Sequence, residues 1–206
     1  HAKGAGGLSA SQLLAAGVGI IYVGVARMFL ACSAGMPERP ERGRRPGSTC
    51  YIHATVLDAK GSRMSKSAGH GFDPLDMIEQ YGADAVCFSL VLLTKEGQDV
   101  RLAPDRFEQG SRFCNKVWNA ARFVMLNLAG DRSTEPSTRF EDRWIMSRLA
   151  RTIGEVSSAL DEYRFNDAAS TMYRFVWNDF CDWYVELSKH RLTGDDEASA
   201  KDARTT

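Results

Sequence analysis

Arg63-Met64-Ser65-Lys66-Ser67 puts two cations and two hydroxyls into five consecutive residues. Serine hydroxyls bond to backbone or to phosphate oxygens, and Lys and Arg supply the positive charge that an anion needs. The same pentapeptide on a loop also reads as a solvated turn or a modification site, so its flanks must decide its meaning. The five cysteines (Cys32, Cys50, Cys87, Cys114 and Cys181) are odd in number and form no Cys-x-x-Cys pair. That argues against a disulfide framework and a zinc site, and it favours a reducing, cytosol-like compartment.

The pentapeptide is held between two elements. Tyr51 to Leu57 is apolar and β-branched, and Asp58-Ala59-Lys60-Gly61 supplies turn chemistry directly after it, so a strand runs into the loop. Beyond the loop, Asp73-Pro74 predicts a helix start, with Asp73 as capping acceptor and Pro74 at the first position. Leu75, Met77 and Ile78 are the expected inner face. From Pro104 onward the period is helical. Phe107, Phe113, Val117, Ala121, Val124 and Leu128 form one stripe. Ile145, Leu149, Ile153, Val156 and Leu160 form a second, and Met172, Val176, Phe180, Trp183 and Leu187 a third. Breakers fall between them at Gly130 to Ser137 and at Tyr163-Arg164-Phe165-Asn166, with Asn166 the expected cap. Trp and Phe at this spacing are core residues first, and the polar tail after Leu192 is expected to fray.

A hydrophobic share of 44% with 25% charged residues is that of a globular chain. No stretch approaches the roughly 20 apolar residues that span a bilayer, and Leu13 to Cys32 is broken by Gly17, Gly19, Gly24 and Arg27 without signal-peptide flanks. A membrane role is therefore not expected. Basic and acidic residues balance at 26 each, so any RNA contact must come from a local patch. Pro37 to Gly47 contains only Pro, Glu, Arg and Gly, cannot bury apolar area, and reads as a poorly packed loop.

With its flanks, the pentapeptide resembles the KMSKS loop of class I aminoacyl-tRNA synthetases, with Arg63 in place of the first Lys. Tyr51-Ile52-His53 enters it, Phe72-Asp73-Pro74-Leu75-Asp76 and Tyr81-Gly82-Ala83-Asp84-Ala85 leave it, and Gly97-Gln98-Asp99-Val100-Arg101-Leu102 closes the segment. In this order they are similar to the valyl-tRNA synthetase family. Asn115-Lys116-Val117-Trp118-Asn119-Ala120-Ala121-Arg122-Phe123, Asp142-Arg143-Trp144-Ile145, Tyr163 to Ala169 and Trp177-Asn178-Asp179-Phe180-Cys181-Asp182-Trp183-Tyr184 resemble that family's anticodon-binding bundle. The resemblance runs from Tyr51 to Leu192. Upstream, Ile20-Ile21-Tyr22 and Val25-Ala26-Arg27-Met28 resemble a family stretch in which Gly19 stands in place of Asp and Gly24 in place of Trp. His1 is not followed by Ile-Gly-His, so the HIGH half of the catalytic domain is expected to be missing; the family's editing domain and C-terminal coiled coil are expected to be missing too. Residues 1–50 match poorly, and a partly misread gene explains them better than natural divergence.

The resemblance implies a mainly α chain with a partial α/β part: a remnant of a class I Rossmann-like catalytic domain over residues 1–102, an α-helical anticodon-binding bundle over 103–192, and a polar tail over 193–206. It implies a cytoplasmic valine-tRNA ligase fragment with ATP, Mg2+ carried by ATP, valine and tRNA(Val) as its ligands. Lys66 is the implied phosphate clamp; Arg63, Met64, Ser65, Ser67 and His53 complete the ATP loop. Met64 anchors it by packing. His53 either lies under the adenine or is a strand-end histidine with a structural partner. His70 departs from the family's usual Asn. Arg112, Lys116 and Arg122 are the tRNA-binding candidates, against a plain solvated face. The isolated chain is expected to be inactive, and a non-catalytic tRNA-binding remnant or decayed paralogue is the alternative.

Overall fold

The computed structural model describes residues 13–35, 49–64, 73–95, 98–103, 105–128, 130, 134 and 137–206. Leu13 to Gly35, to which the sequence reading assigns no elements, forms strand β1 (Leu13–Gly17), helix α1 (Val18–Ile20), a π-helical turn (Ile21–Val25) and helix α2 (Ala26–Gly35). Strand β2 (Thr49–His53) then lies parallel to β1, from Leu13 opposite Thr49 to Gly17 opposite His53. Parallel neighbours need a crossover, here largely helical, so this is a βαβ unit. The Pro, Arg and Gly run at 37–47 lies outside the described residues.

A second parallel pair joins β3 (Val56–Leu57) to β4 (Val100–Arg101), with α3 (Pro74–Tyr81) and α4 (Ala83–Leu93) between them in the chain. Asp73 caps α3 as expected, its Oδ1 accepting from the Leu75 N–H at 2.9 Å, and Pro74 takes the first position. The expected inner face is only partly right. Leu75 is exposed, whereas Met77 and Tyr81, one turn apart, pack on the core. That core is Val86, Leu102 and Phe107, with Val56, Met64, Met77, Tyr81, Leu90 and Leu93 packed around it.

Phe107 belongs to α5 (Asp105–Asn127), so the first long helix of the bundle contributes to the core beneath the strands. It crosses α4 at Gly110. A Cβ built there would lie 2.5 Å from the Ala85 carbonyl oxygen and closer still to Ser89 Oγ, so the approach requires a residue without a side chain.

The bundle continues with α6 (Phe140–Asp161), α7 (Phe165–Arg174), a π-helical stretch (Phe175–Val185), α8 (Glu186–Thr193) and α9 (Glu197–Thr205). The third predicted stripe assumes one α-helical period, but the π-helical stretch bonds i to i+5 and shifts the inward residues. Cys181, Tyr184 and Val185 are buried there, while Trp183 is exposed. In α6 the buried positions are Asp142, Ile145, Thr152 and Ala159, which leaves Ile153 and Leu160 outside. Asn166 is not a cap. It is buried within the first turn of α7, and its amide donates to the Leu92 carbonyl.

The tail does not fray. Asp196 caps α9 by accepting from the Ser199 N–H at 3.2 Å, Arg139 pairs with Asp196, and Ser199 and Ala200 are buried. Polar residues with this many specific partners order a segment that composition alone assigns to solvent.

Candidate functional site

The described part of the basic loop is set by one aspartate. Asp58 Oδ1 accepts from the N–H groups of Lys60 (2.9 Å) and Ser62 (2.7 Å), and the Asp58 carbonyl accepts from Gly61 at 3.0 Å. Gly61 has φ +84°, a conformation that favours glycine. This turn folds the chain back so that Arg63 forms an antiparallel bridge with Leu57. Met64 follows and packs against the Val86–Leu102–Phe107 core, while Arg63 is exposed. Ser65, Lys66, Ser67 and His70 lie outside the described residues.

His53 ends β2. Its Nδ1 lies 2.9 Å from the Ala54 carbonyl, an acceptor only, so Nδ1 carries a proton and donates to it. The ring lies over Gly17 on β1, where a Cβ would come within 3.1 Å of it. Gly17 thus makes room for the imidazole. Gly19 is different: a Cβ there meets nothing within 4 Å, so packing does not forbid a larger residue. At Gly24 a Cβ would meet Ile20 Cγ2 at 2.7 Å, and a larger side chain must displace Ile20.

The three RNA candidates all lie on α5, but they do not converge. Arg112 is exposed and pairs with Glu108 at 2.6 Å. Lys116 is turned toward the π-helical stretch, paired with Asp182 and held 4.0 Å over the Trp177 ring. Arg122, six residues on at about 100° per residue, is exposed on another side. Trp118, one turn before Arg122, is 72% exposed, and Phe140 is 82% exposed. The expectation that the motif's Trp and Phe positions are core residues fails at Trp118. The helical period gives no signal of this for Trp118: eleven residues on from the buried Phe107 at about 100° each, it falls within about 20° of that position.

Known proteins resemble this chain in sequence and in fold. Residues 7–103 match the family model described as tRNA synthetases class I (I, L, M and V), and residues 142–206 match the anticodon-binding domain of tRNA ligase. Among solved structures, a leucyl-tRNA synthetase of Agrobacterium radiobacter in a ternary complex superposes with a TM-score of 0.71 at 18% identity, over 95% of this chain and 25% of that one. A Mycobacterium tuberculosis methionyl-tRNA synthetase gives 0.70 at 20% identity, over 95% and 38%. These two establish the fold, that of class I aminoacyl-tRNA synthetases. Among sequences, the valine-tRNA ligase of Rhizobium meliloti is 43% identical over 94% of this chain and 21% of its own length. That of Thermotoga maritima is 44% identical over 88% and 20%. The chain belongs to the valine-tRNA ligase family of class I aminoacyl-tRNA synthetases, and it spans about a fifth of the length of these curated relatives. The matched region begins at residue 7, upstream of the Tyr51 start at which the sequence resemblance is strong. Among the described residues, no helix is long and apolar enough to cross a membrane.

Proposed function

We propose that this chain supplies the loop side of the ATP site and the anticodon-side bundle of a cytoplasmic valine-tRNA ligase. In the longer protein it serves ATP-dependent activation of valine to valyl-adenylate, then transfer to tRNA(Val). The observation that carries the reading is the delivery of the basic loop. β1, β2 and β3 end at Gly17, His53 and Leu57, and the Asp58 turn launches Arg63 and Met64 from the carboxyl end of β3. Carboxyl ends of parallel strands are where open α/β folds bind their ligands.

In activation, a valine carboxylate oxygen attacks the α-phosphorus, the new O–P bond forms, and the bond to pyrophosphate breaks. Positioning and charge stabilisation dominate such a step. Lys66 supplies the cation that stabilises charge gathering on the phosphate oxygens, and Arg63 keeps the positive charge at the loop base. Ser65 and Ser67 bond to backbone or phosphate. Mg2+ enters with the nucleotide. Residues 1–102 form the nucleotide side and 103–192 the RNA side. On the bundle, exposed Trp118 and Arg122 offer a ring and a guanidinium on which a splayed anticodon base can stack. Threonine, an isostere of valine with a hydroxyl, is rejected poorly by an apolar pocket, so editing falls to a part of the protein outside this chain.

A second reading is a tRNA-binding protein without catalysis, and the glycines at 19 and 24, where the family has Asp and Trp, favour it. A HIGH motif encoded upstream in the complete gene separates the two readings, and two measurements test what they share. The 206-residue chain binds a tRNA(Val) transcript, and Trp118→Ala weakens that binding by about tenfold without lowering the melting temperature. The same chain should show no valine-dependent pyrophosphate exchange. Exchange above an ATP-only control would overturn the half-site reading, and absence of RNA binding would overturn the bundle's role.

A further inference from the structure

The end of α6 closes on two backbone bonds: the Arg164 N–H donates to the Ala159 carbonyl at 2.7 Å and the Tyr163 N–H to the Leu160 carbonyl at 3.0 Å. This is the Schellman pattern, whose turn residue sits in the left-handed region and is most often glycine. Here it is Tyr163, with φ +60°. A Cβ at that position is strained, and strain of this kind persists where the surrounding structure uses the side chain.

The ring has neighbours that explain its retention. Tyr163 lies 6.5 Å from Tyr51 and 6.3 Å from Phe165 between ring centres, and Tyr51 meets Phe165 edge-on at 5.3 Å. Tyr51 is on β2, two residues before His53. Phe165 and Tyr163 belong to the bundle. One residue further, the buried Asn166 donates to the Leu92 carbonyl in the last turn of α4. The α6–α7 corner is therefore seated at once on the strand that carries His53 and on the helix that precedes β4. β4 in turn pairs with β3, from which the Asp58 turn and Arg63 depart. Edge-to-face ring pairs have a preferred geometry, so a shift of the corner is felt by β2 as a change of contact.

We infer that Tyr51 is a positioning residue: through Tyr163 and Phe165 it couples RNA engagement on the bundle to the setting of the His53 strand. The inference rests on the reading above, in which the bundle binds tRNA and the His53 strand faces ATP. Neither ring touches the reacting atoms. Their effect is on the placement of the strand, and any energy that RNA binding gives to one arrangement of the corner is shared with it.

Amide hydrogen exchange on the 206-residue chain, with and without a tRNA(Val) transcript, tests the coupling. With RNA bound, the amides of Thr49 to His53 exchange about fivefold more slowly, the low end of ordinary coupling between sites. Tyr51→Ala keeps the RNA affinity and loses the slowing, and Tyr51→Phe, which retains the ring, keeps both. Tyr163→Gly relaxes the backbone, folds at least as well, and also loses the slowing. If Tyr51→Ala does not fold, Tyr163→Gly decides alone. Slowing that survives the loss of the ring would mean that RNA touches the strand directly, and the coupling would be wrong. RNA binding without any slowing in the unsubstituted chain would overturn it equally. No RNA binding at all would remove the functional reading first and this inference with it.

Discussion

Arg191 grips Asp142 with two parallel bonds, Nη1 to Oδ1 at 2.6 Å and Nη2 to Oδ2 at 2.9 Å, across 49 residues of sequence. Asp142 is 1% exposed, and Tyr184 Oη and Ser137 Oγ donate to the same carboxylate. Arg191 also donates from Nε to Ser199 Oγ at 3.0 Å and from Nη2 to the Ser199 carbonyl at 3.2 Å. One guanidinium thus ties the start of α6 to α8 and α9. Bidentate pairing with further donors on the carboxylate is the arrangement in which a buried ion pair is retained.

The clasp makes stability depend on acid. Burial pushes the Asp142 carboxyl up, but the hydrogen bonds from Arg191, Ser137 and Tyr184, with the Arg191 charge, outweigh it and hold the group below its usual value. A carboxyl depressed in the folded state binds its proton more readily when unfolded. Its stabilisation is therefore complete above the ordinary carboxylate range, about pH 4, and is lost as pH falls through the lower folded value. Denaturant titrations from pH 7 down to pH 2 should show this loss. Asp142→Asn should flatten it and cost about 3 kcal/mol at pH 7, because Arg191 is left without its partner.

At the other end of the ionisation scale, the Tyr184 phenol is pushed up to about 12 by burial, the Asp142 charge and their hydrogen bond. Its contribution is present below the ordinary phenol value near 10 and falls away as pH rises toward about 12. Spectrophotometric titration of the phenolate band should find one late-titrating tyrosine, which Tyr184→Phe removes.

Gly110→Ala separates packing from helix propensity. Propensity alone favours the alanine by about 1 kcal/mol. Overpacking against Ala85 and Ser89 should reverse the sign and destabilise by about 2 kcal/mol. Urea unfolding of the two chains decides, and a more stable alanine variant would mean that α4 and α5 can separate at little cost.

For the loop, the proposed full-length ligase is the proper vehicle. Lys66→Ala should slow valyl-adenylate formation by about 100-fold with a smaller change in ATP affinity, since a loop cation acts mainly on charge that moves during the reaction. Arg63→Lys should be mild. Pre-steady-state measurement separates binding from chemistry, and a pure affinity loss for Lys66→Ala would reduce its role to docking.

The bundle boundary can be tested by truncation. Residues 104–192 should give a cooperative helical melt by circular dichroism. Extension to 206 should raise the midpoint by at least about 4 °C, because α9 brings Ser199 to Arg191 and Asp196 to Arg139.

What could be read from residues alone was local. Asp73-Pro74 announces its helix, and Asp58 to Gly61 its turn, because each motif satisfies its own backbone within a few residues. The misses depend on partners far along the chain. Asn166 reads as a cap until Leu92, 74 residues away, takes its amide. The α9 segment reads as solvated until Arg139 and Arg191 find it. Trp183 reads as core because a strict α-period is assumed, and nothing in Phe175 to Val185 signals the change to i→i+5 bonding. At the candidate site, His53 is legible as a strand end, whereas its accommodation by Gly17 is a property of the β1–β2 register.

Phe107 bears on how such enzymes could exchange parts. It sits in the helix that opens the bundle, yet it completes the core beneath the strands together with Val86 and Leu102. A graft that joined a foreign bundle at residue 103 would remove this plug and leave a void under Met64, at the root of the basic loop. The natural seam for recombination lies beyond Gly110 and Phe113, inside α5, so a donor helix must be spliced in phase with the recipient's first turns.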